Sequence, residues 1–505
     1  MYDILVIGGG INGVGIARDA AGRGLSVALC EKDDLASHTS SASSKLIHGG
    51  LRYLENYEFR LVRESLGERE ILLRAAPHII WPMRIVLPVL KGMRPKWMLR
   101  IGLFLYDHLA KRAVLPGTKT LNLRNSLQGA ALKEELKTGF EYSDCWADDA
   151  RLVVANAIDA AERGADIYTR TECTALNRAA DHWTATLKDS HGEEKQVKAK
   201  MVINAAGPWV ERILGKFGRL NNHAAVRLVK GSHIVTKQLY EGKHGYIFQS
   251  ADGRIIFAMP YEDDYTLIGT TDTEWDKDPG HVEISSEEID YLCAAANDYF
   301  KTPVTRDDII WSYAGVRPLY DDQAASASVV TRDYVFDLEG GDGQAAPILS
   351  VFGGKLTTYR KLAGHAMDKL RPFFPQMKGD WTQDAALPGG DFPIDGVEAL
   401  RQRVTAQYPW IPIALRNRLV QAYGTRAVLL LGDAKSVRDL GKEYGAGLYD
   451  AEIRYLIAHE FATCAEDILW RRSKLGLKMT EEERADLTDY LGNVDIDTWI
   501  KQKSR

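Results

Sequence analysis

The sequence has few cysteines and no long apolar run, and both scarcities narrow what the protein can be. Its 505 residues include only five cysteines, none in a C-x-x-C pair, which excludes a dithiol redox motif and a cysteine zinc site. No uninterrupted apolar stretch reaches the ~18 residues that a membrane-spanning helix needs. No charged and apolar leader precedes the first predicted strand, so no signal peptide is expected. These absences predict a cytoplasmic protein in a reducing compartment.

Neither sign of charge is in large excess over the other. The net charge of −5 argues against a general nucleic-acid binder, and no nucleic-acid partner is expected. A hydrophobic content of 45% with 26% charged residues is typical of a globular protein. Because 505 residues exceed one usual core, two or three domains are expected.

What the chain does have is a glycine-rich start. Residues 3–7 form a β-branched apolar run, the pattern of a buried parallel strand. A G-x-G-x-x-G motif, a predicted helix over residues 14–21 and a second strand over residues 25–30 follow it. The glycines let backbone N–H groups approach a pyrophosphate at the helix N-terminus, and an acid after the second strand suits a ribose hydroxyl. The predicted dinucleotide contacts are Gly8, Gly10, Ile11, Asn12, Gly13 and Glu31.

Further loops supply donors for the same ligand. A serine-rich loop over residues 37–54 carries hydroxyls and a lysine suited to phosphate or ribityl oxygens, and residues 201–209 form a strand that meets a glycine turn. A second glycine turn with a helix start, at residues 353–358, favours FAD over NAD, since a helix N-terminus stabilises reduced flavin. The predicted FAD contacts in these loops are Ser40, Ser43, Ser44, Lys45, Leu46, His48, Gly49, Gly50, Ala206, Gly207, Gly353, Gly354, Lys355, Leu356 and Thr357.

The motifs GGGINGVGIARDAAGRG, SSASSKLIHGGLRYL, DDARLVVANA, NAAGPWV, KGSHIV, IGTTD, GVRPL and SVFGGKLTTYRKLA resemble the FAD-dependent glycerol-3-phosphate dehydrogenases of the bacterial aerobic type. The resemblance covers essentially the whole chain, and Ala206 stands where relatives often have Thr. It implies oxidation of sn-glycerol 3-phosphate to dihydroxyacetone phosphate by hydride transfer from C2 to FAD N5. Electrons would pass to membrane quinone at an anionic membrane surface, on the inner face of the cytoplasmic membrane. A homodimer is left open.

The expected fold is α/β, with a FAD-binding Rossmann-like domain, an antiparallel-sheet substrate domain and a C-terminal helical domain. The FAD-binding domain is predicted to be discontinuous, over residues 1–75, 145–212 and 345–385. The substrate-binding cap domain takes residues 76–144 and 213–344. Residues 386–505 form the helical domain, which includes a helix predicted over residues 450–475 and is expected to be a structural cap.

A phosphorylated substrate carries about −1.5 to −2 charge, which calls for several cations. The predicted substrate-binding residues are Arg52, Tyr53, Thr270, Arg332 and Lys355. The predicted catalytic residues are His233, as the base for the hydroxyl proton, and Arg317, which holds substrate and could stabilise a developing alkoxide. Two alternatives stay open: His48 could be the base, and an arginine is more often part of a surface salt bridge.

Other functions fit parts of this pattern. An amine or amino-acid oxidase of the same fold needs one arginine for a carboxylate, and a glycerol-3-phosphate oxidase shares the substrate but reduces oxygen. A non-catalytic redox sensor would keep only the dinucleotide motif.

Residues 91–106 are the predicted site of membrane docking. They interleave the cations Lys91, Arg94, Lys96 and Arg100 with the apolar side chains of Trp97, Met98, Ile101, Phe104 and Leu105. On a helix, several of these apolar residues share one side, as an interfacial helix requires. The alternative is that this side packs inside the substrate domain.

Overall fold

The computed structural model describes residues 1–90, 94–217, 226–250, 252–320, 333–494 and 496. Over these residues the α-helices are α1 (Ile11–Gly22), α2 (Phe59–Ala75), α3 (Lys96–His108), α4 (Asp149–Glu162), α5 (Val210–Phe217), α6 (Ser286–Asn297), α7 (Tyr359–Leu370), α8 (Val397–Gln407), α9 (Ile413–Tyr423), α10 (Ala427–Leu431), α11 (Asp450–Glu460) and α12 (Glu481–Gly492). A π-helical segment, Asp467–Arg472, lies between the last two.

The strands are β1 (Tyr2–Ile7), β2 (Val27–Cys30), β3 (Leu46–Ile47), β4 (Ile80–Pro88), β5 (Lys119–Asn122), β6 (Thr138–Ala147), β7 (Asp166–Tyr168), β8 (Thr171–Arg178), β9 (Trp183–Asp189), β10 (Glu194–Asn204), β11 (Val226–Lys237), β12 (Gly245–Gln249), β13 (Ile255–Tyr261), β14 (Tyr265–Gly269), β15 (Thr273–Glu274), β16 (Ile309–Tyr320), β17 (Val335–Glu339) and β18 (Ile348–Phe352).

The first sheet is built around the amino-terminal strand. Its order is β17-β18-β10-β1-β2-β7, with β8 and β9 attached through β10. β1 pairs in parallel with both β2 and β10, and β10 pairs in parallel with β18. Helices α1, α4 and α7 bury the apolar face of these strands in one core. This is the Rossmann-like arrangement that the sequence predicts, because a strand covered on both faces reads as a continuous apolar run.

The second sheet is mainly antiparallel. Its order is β15-β11-β14-β13-β12-β4-β6-β3, with β16 paired to β11 and β5 to β6. One core of this sheet includes residues of α6, and another includes residues of α3. The long β11–β16 ladder runs from Val226↔Tyr320 to Thr236↔Ile309 with one irregularity. The fold class expected from the sequence is therefore confirmed.

The sheets depart from the predicted domain limits in two places. β6 of the second sheet runs across the limit between residues 144 and 145, and its last residues pair with β3 of the range assigned to the FAD-binding domain. β17, from the range assigned to the cap, pairs with β18 of the first sheet. The limits themselves stay a prediction.

The C-terminal helices enclose a core of their own. The single helix predicted over residues 450–475 is wrong, because α11 ends at Glu460 and Phe461 takes a left-handed conformation with φ of 61°. The π-helical segment begins at Asp467, whose carboxylate accepts hydrogen bonds from the backbone N–H groups of Thr463 and Cys464. The interruption turns the π-helical segment toward the two sheets.

Candidate active site

The loops that follow four parallel strands line one cleft. β1, β2, β10 and β18 end at the same edge of the first sheet. The residues that come next, Gly8, Glu31, Ala205 and Gly353, all line the cleft. In open α/β sheets ligands bind outside the carboxyl ends of the strands. The cleft therefore lies where the sequence predicts a dinucleotide.

The glycines at this edge permit contacts that no side chain would allow. A Cβ on Gly13 would lie 1.9 Å from the Gly8 carbonyl oxygen, and one on Gly8 would lie 2.5 Å from the Ala205 oxygen. Gly8 also has a φ of 115°, which favours glycine. Helix α1 can therefore begin directly against the turn, and its first residues, Ile11 and Asn12, line the cleft.

Asn12 joins the first glycine loop to the last. Its Nδ2 donates to the Gly353 carbonyl oxygen at 3.0 Å, and a Cβ on Gly354 would lie 2.7 Å from the same nitrogen. The Asn12 Oδ1 atom is buried and has no hydrogen-bond partner among the described residues. Together with the glycine cradle, this unpaired acceptor fits the bound cofactor that the motifs predict.

Glu31 is held at the end of β2 by backbone donors. Its carboxylate accepts the N–H groups of Gly9 at 2.7 Å and Asp33 at 2.9 Å. Burial raises the pKa of Glu31 above its usual value, although these two bonds act in the opposite direction. Each carboxylate oxygen can accept more than one hydrogen bond, so the group can also receive a ribose hydroxyl.

A group of aromatic and basic residues that the sequence motifs do not predict lies beside Glu31. Lys32 Nζ lies 4.5 Å from the ring centroid of Trp209, and the His38 ring meets Trp209 edge-on at 4.6 Å. All three residues line the cleft. The available signal was the position of Trp209 directly after the glycine turn of β10.

Most of the predicted cofactor residues line the cleft. They are Gly8, Gly10, Ile11, Asn12, Glu31, Ser40, Ser43, Ser44, Leu46, His48, Ala206, Gly207, Gly353, Gly354, Lys355, Leu356 and Thr357. The backbone N–H of His48 donates to Thr357 Oγ1 at 3.2 Å, which joins the serine-rich loop to the last glycine loop.

Gly13, Lys45, Gly49 and Gly50 do not belong to this lining. Gly13 lies against the Gly8 carbonyl oxygen instead. Lys45 is buried, and its Nζ donates to Asp149 at 2.9 Å and to the Ser41 carbonyl oxygen at 2.7 Å. Its partner Asp149 lies on α4, so Lys45 fixes the loop instead of reaching the cleft. Gly49 donates to Tyr106 Oη at 2.8 Å, and Gly50, with φ of 75°, makes room for the ring of Tyr53.

His233 lies on the cap side of the cleft. β11 places it opposite Gly269 of β14 and Tyr313 of β16. A Cβ on Gly269 would lie 2.1 Å from the imidazole, so only glycine leaves room for the ring. The His233 Nε2 lies 2.9 Å from Ser44 Oγ, whereas Nδ1 is buried without a hydrogen-bond partner among the described residues. Because Ser44 lines the cleft, Nε2 is the nitrogen on the cleft side.

The environment of His233 keeps its imidazole neutral. Burial lowers its pKa well below the usual 6.5, and the nearby cations Lys45 and Arg317 act in the same direction. A neutral imidazole has a nitrogen lone pair that can accept a hydrogen bond or a proton. A pKa this far below the usual value also makes it a weaker base than a pKa near the working pH would, so the role of base stays a prediction.

Arg317 lies two strand positions from Gly315 and lines the same cleft. Its Nη2 donates to the Thr271 carbonyl oxygen at 2.9 Å and pairs with Asp272. Gly231 and Gly315 face each other on β11 and β16. A Cβ on Gly231 would lie 2.9 Å from Arg317 Nη2, so this glycine leaves space for the guanidinium.

Of the other predicted substrate residues, some line the cleft and others do not. Lys355, Tyr53 and Thr270 line the cleft, and Lys355 Nζ lies 4.1 Å from the centroid of the Tyr53 ring. Arg52 does not line it, although its neighbour does. Arg332 lies outside the described residues. His233, Arg317 and Lys355, the basic groups predicted for substrate, therefore all line the same cleft.

The chain is similar to known FAD-dependent oxidoreductases. The model of the family "FAD dependent oxidoreductase" matches residues 3–360, and that of the "C-terminal domain of alpha-glycerophosphate oxidase" matches residues 381–489. A glycerol-3-phosphate dehydrogenase of Pseudomonas aeruginosa is 53% identical over 97% of this chain and 95% of its own. A D-erythritol 1-phosphate dehydrogenase of Brucella abortus is 50% identical, over 98% of each.

A solved structure of a similar protein has the same fold. The glycerol-3-phosphate dehydrogenase from Bacillus halodurans, complexed with FAD, superposes with a TM-score of 0.76 at 29% identity, over 99% of this chain and 95% of that one.

The chain is an enzyme of the flavin-dependent oxidoreductase class, with a Rossmann-like FAD-binding sheet. It belongs to the FAD-dependent oxidoreductase family and, within that family, to the group that contains the bacterial glycerol-3-phosphate dehydrogenases. The resemblance stated from the sequence motifs and the prediction of FAD as the cofactor are both confirmed.

Proposed function

We propose that the protein oxidises sn-glycerol 3-phosphate at C2 to dihydroxyacetone phosphate. The observation that carries this proposal is the convergence of His233, Arg317 and Lys355 on the cleft that the FAD-binding loops line. Two cations and a neutral imidazole match a substrate with a phosphate and an oxidisable hydroxyl group. The names of similar proteins, which include a glycerol-3-phosphate dehydrogenase and a D-erythritol 1-phosphate dehydrogenase, support a polyol phosphate as substrate.

Arg317 and Lys355 bind the anionic substrate. Arg317 is oriented by the Thr271 carbonyl oxygen and the Asp272 carboxylate, and its planar guanidinium has five N–H donors, of which others can serve a phosphate or a developing alkoxide. Lys355 adds a second charge above the ring of Tyr53. Arg332 and Arg52 stay predictions as further phosphate ligands.

His233 accepts the proton of the C2 hydroxyl group at Nε2. This role needs the tautomer with the proton on Nδ1, in which the Ser44 hydroxyl donates to Nε2 until substrate arrives. Bound FAD supplies the hydride acceptor. The residues above orient the substrate, hold its charge and remove its proton, which are the tasks left to the protein in a flavoenzyme.

The electron acceptor that we propose is a membrane quinone. No helix in the described part of the chain is long and apolar enough to cross a bilayer, so access to a quinone requires docking on one face, which we expect to be the cytoplasmic one. Helix α3 offers a surface for this, since Trp97 is 67% exposed and Phe104 60%. Lys96 and Arg100 lie exposed beside them, suited to an anionic leaflet.

Anaerobic reduction of the bound flavin tests the substrate. We expect glycerol 3-phosphate to bleach the flavin absorbance under argon, with D-erythritol 1-phosphate and amino acids much slower. Faster bleaching by D-erythritol 1-phosphate would identify that compound, and not glycerol 3-phosphate, as the substrate. Bleaching only by amino acids would refute a phosphate site. Rapid reoxidation by oxygen rather than by quinone would favour the oxidase alternative.

The variant Arg317→Ala tests the site itself. Loss of a charge-assisted hydrogen bond costs about 1.5–3 kcal/mol, so kcat/KM should fall about tenfold to 100-fold. The flavin spectrum should be unchanged, because Arg317 contacts none of the predicted FAD loops through the bonds described above. Unchanged kcat/KM would remove Arg317 from the substrate site.

A further inference from the structure

A column of aromatic rings leads from His233 into the C-terminal domain. The imidazole of His233 stacks on the ring of Tyr313, with centroids 4.7 Å apart and planes 15° apart. Tyr313 lies 5.1 Å from Trp311, two residues earlier on β16. Trp311 in turn stacks on Trp470 of the π-helical segment, at 4.9 Å and 20°. Residues at positions i and i+2 of a strand share one face, which explains why β16 can carry the two middle rings.

Tyr313 is itself held from two sides. Its hydroxyl donates to the Ser43 carbonyl oxygen at 2.8 Å, and Lys45 Nζ lies 4.7 Å from the centroid of its ring. Lys45 cannot move easily because it is buried and paired with Asp149. The ring of Tyr313 is thus tied to the serine-rich loop that also provides Ser44, the partner of His233.

The stacking defines an orientation that the hydrogen bond alone leaves open. A histidine ring turns about χ1 and χ2, and the terminal torsion is broad. Ser44 contacts one edge of the imidazole and the backbone at Gly269 leaves room for another. Tyr313 covers one face of the ring in a stacked geometry. Without it, that face opens and the ring gains room to turn Nε2 away from the cleft, and a small misplacement of a reacting group costs much of its rate advantage.

We propose that Tyr313 is a positioning residue for His233, and that Trp311 and Trp470 extend this support into the C-terminal domain. The proposal rests on the proposed function, in which His233 Nε2 takes the substrate proton. It gives the C-terminal domain, expected from sequence to be a structural cap, a part in the alignment of the base.

Two substitutions of Tyr313 separate the ring from its hydroxyl group. Tyr313→Leu removes the stacked face, and we expect the rate of anaerobic flavin reduction by glycerol 3-phosphate to fall about tenfold to 100-fold with a smaller change in KM. Tyr313→Phe keeps the stack and should retain most of the rate. Equal losses in both variants, or a wild-type rate in Tyr313→Leu, would overturn the proposal.

The pH profile of flavin reduction gives a readout that a purely structural role would not move. The charged groups facing His233 are Lys45 and Arg317, and neither is altered in Tyr313→Leu. Loss of the covering ring lets water reach the imidazole and weakens the burial that lowers its pKa. The acidic limb of the profile should therefore move to higher pH in Tyr313→Leu and stay in place in Tyr313→Phe. An unmoved limb in both variants contradicts the proposal.

Trp470→Leu tests the far end of the column without touching the cleft. We expect flavin reduction to slow by about twofold to tenfold, as for coupling through packed side chains. Trp410→Leu is the matched control, since Trp410 packs in the same C-terminal core and pairs with Tyr408 instead. Equal rates for Trp470→Leu and the wild type would show that the support ends at Trp311.

A double variant distinguishes failure of this proposal from failure of the proposed function. If His233→Ala reduces its flavin at the wild-type rate, His233 is not the base and both proposals fall. If His233→Ala is slow, Tyr313→Leu should add nothing in that background, because it acts through His233. A further slowing of the same size as in the wild type would overturn the positioning role and leave His233 as the base.

Discussion

At the scale of a single residue, Gly13 decides whether the cofactor cradle can close. Its missing side chain lets the first turn of α1 lie against the Gly8 carbonyl oxygen, where a Cβ would come within 1.9 Å. Backbone cannot yield at such a distance in the way a flexible side chain can. We therefore expect Gly13→Ala to lower the free energy of unfolding by about 1–3 kcal/mol through overpacking. It should also purify without flavin, as absorbance measurements will show.

Gly67 provides the matched control for that substitution. It lies inside α2, and a Cβ there would meet nothing within 4 Å. Gly67→Ala should keep its flavin and gain about 0.5–1 kcal/mol, since alanine favours a helix over glycine. A Gly13→Ala protein that binds FAD as tightly as Gly67→Ala would refute the cradle as the FAD site.

At the scale of one element, α3 presents an apolar face to the outside. Trp97, Ile101 and Phe104 are more than half exposed, while Leu103 and Tyr106 on the other side are buried. The sequence left two readings of this helix open, and the exposed face excludes the reading in which it packs inside the substrate domain. Lys91, at the start of the predicted docking segment, lies outside the described residues. The exposed side is the one that the proposed docking would use, while Leu103 and Tyr106 pack in a core of the second sheet.

Charge reversal on α3 tests the proposed docking. Lys96→Glu combined with Arg100→Glu should weaken sedimentation with anionic liposomes by about 2 kcal/mol, given about 1 kcal/mol for each cation near the surface. Quinone reduction should fall with it, while turnover with a soluble dye is spared. Ile413→Ser with Leu429→Ser is the control, because both residues are more than half exposed but lie in the C-terminal domain. Equal loss of quinone and dye activity would place the docking surface elsewhere.

The elements also show what sequence could and could not predict. The glycine loops were predicted well because their chemistry is local: each follows a buried strand and opens a helix within a few residues. The side chain of Lys45, which the sequence predicts as a cofactor contact, pairs with Asp149, and no local pattern reveals a partner 104 positions along the chain. The break at Phe461 was missed because apolar periodicity carries no signal for a left-handed residue.

At the scale of the whole molecule, buried ion pairs join the C-terminal domain to the FAD-binding sheet. Arg472 is fully buried and donates to Asp34 through two nitrogens, at 2.5 and 2.7 Å. Asp34 lies three residues after Glu31, on the loop that holds one end of the cleft. A second pair joins Arg151 of α4 to Glu460 at the end of α11. The π-helical segment therefore contacts the loop after β2 through Arg472. It contacts the second sheet through Trp470, which stacks on Trp311 of β16.

Arg472→Met tests whether this junction stabilises both domains together. Removing one partner leaves Asp34 buried with only Arg471 to compensate, and breaking a buried pair costs about 3–5 kcal/mol. We expect a loss near the lower limit of that range in chemical denaturation, and faster release of FAD on dilution because the loop after Glu31 loosens. The control Lys442→Met removes a half-exposed partner of Asp486 and should cost less than about 1 kcal/mol. The double variant Asp34→Leu/Arg472→Met, which leaves no buried charge unpaired at this position, should recover part of the lost stability. If Arg472→Met destabilises no more than Lys442→Met and retains FAD equally well, the Arg472–Asp34 pair does not hold the two domains together.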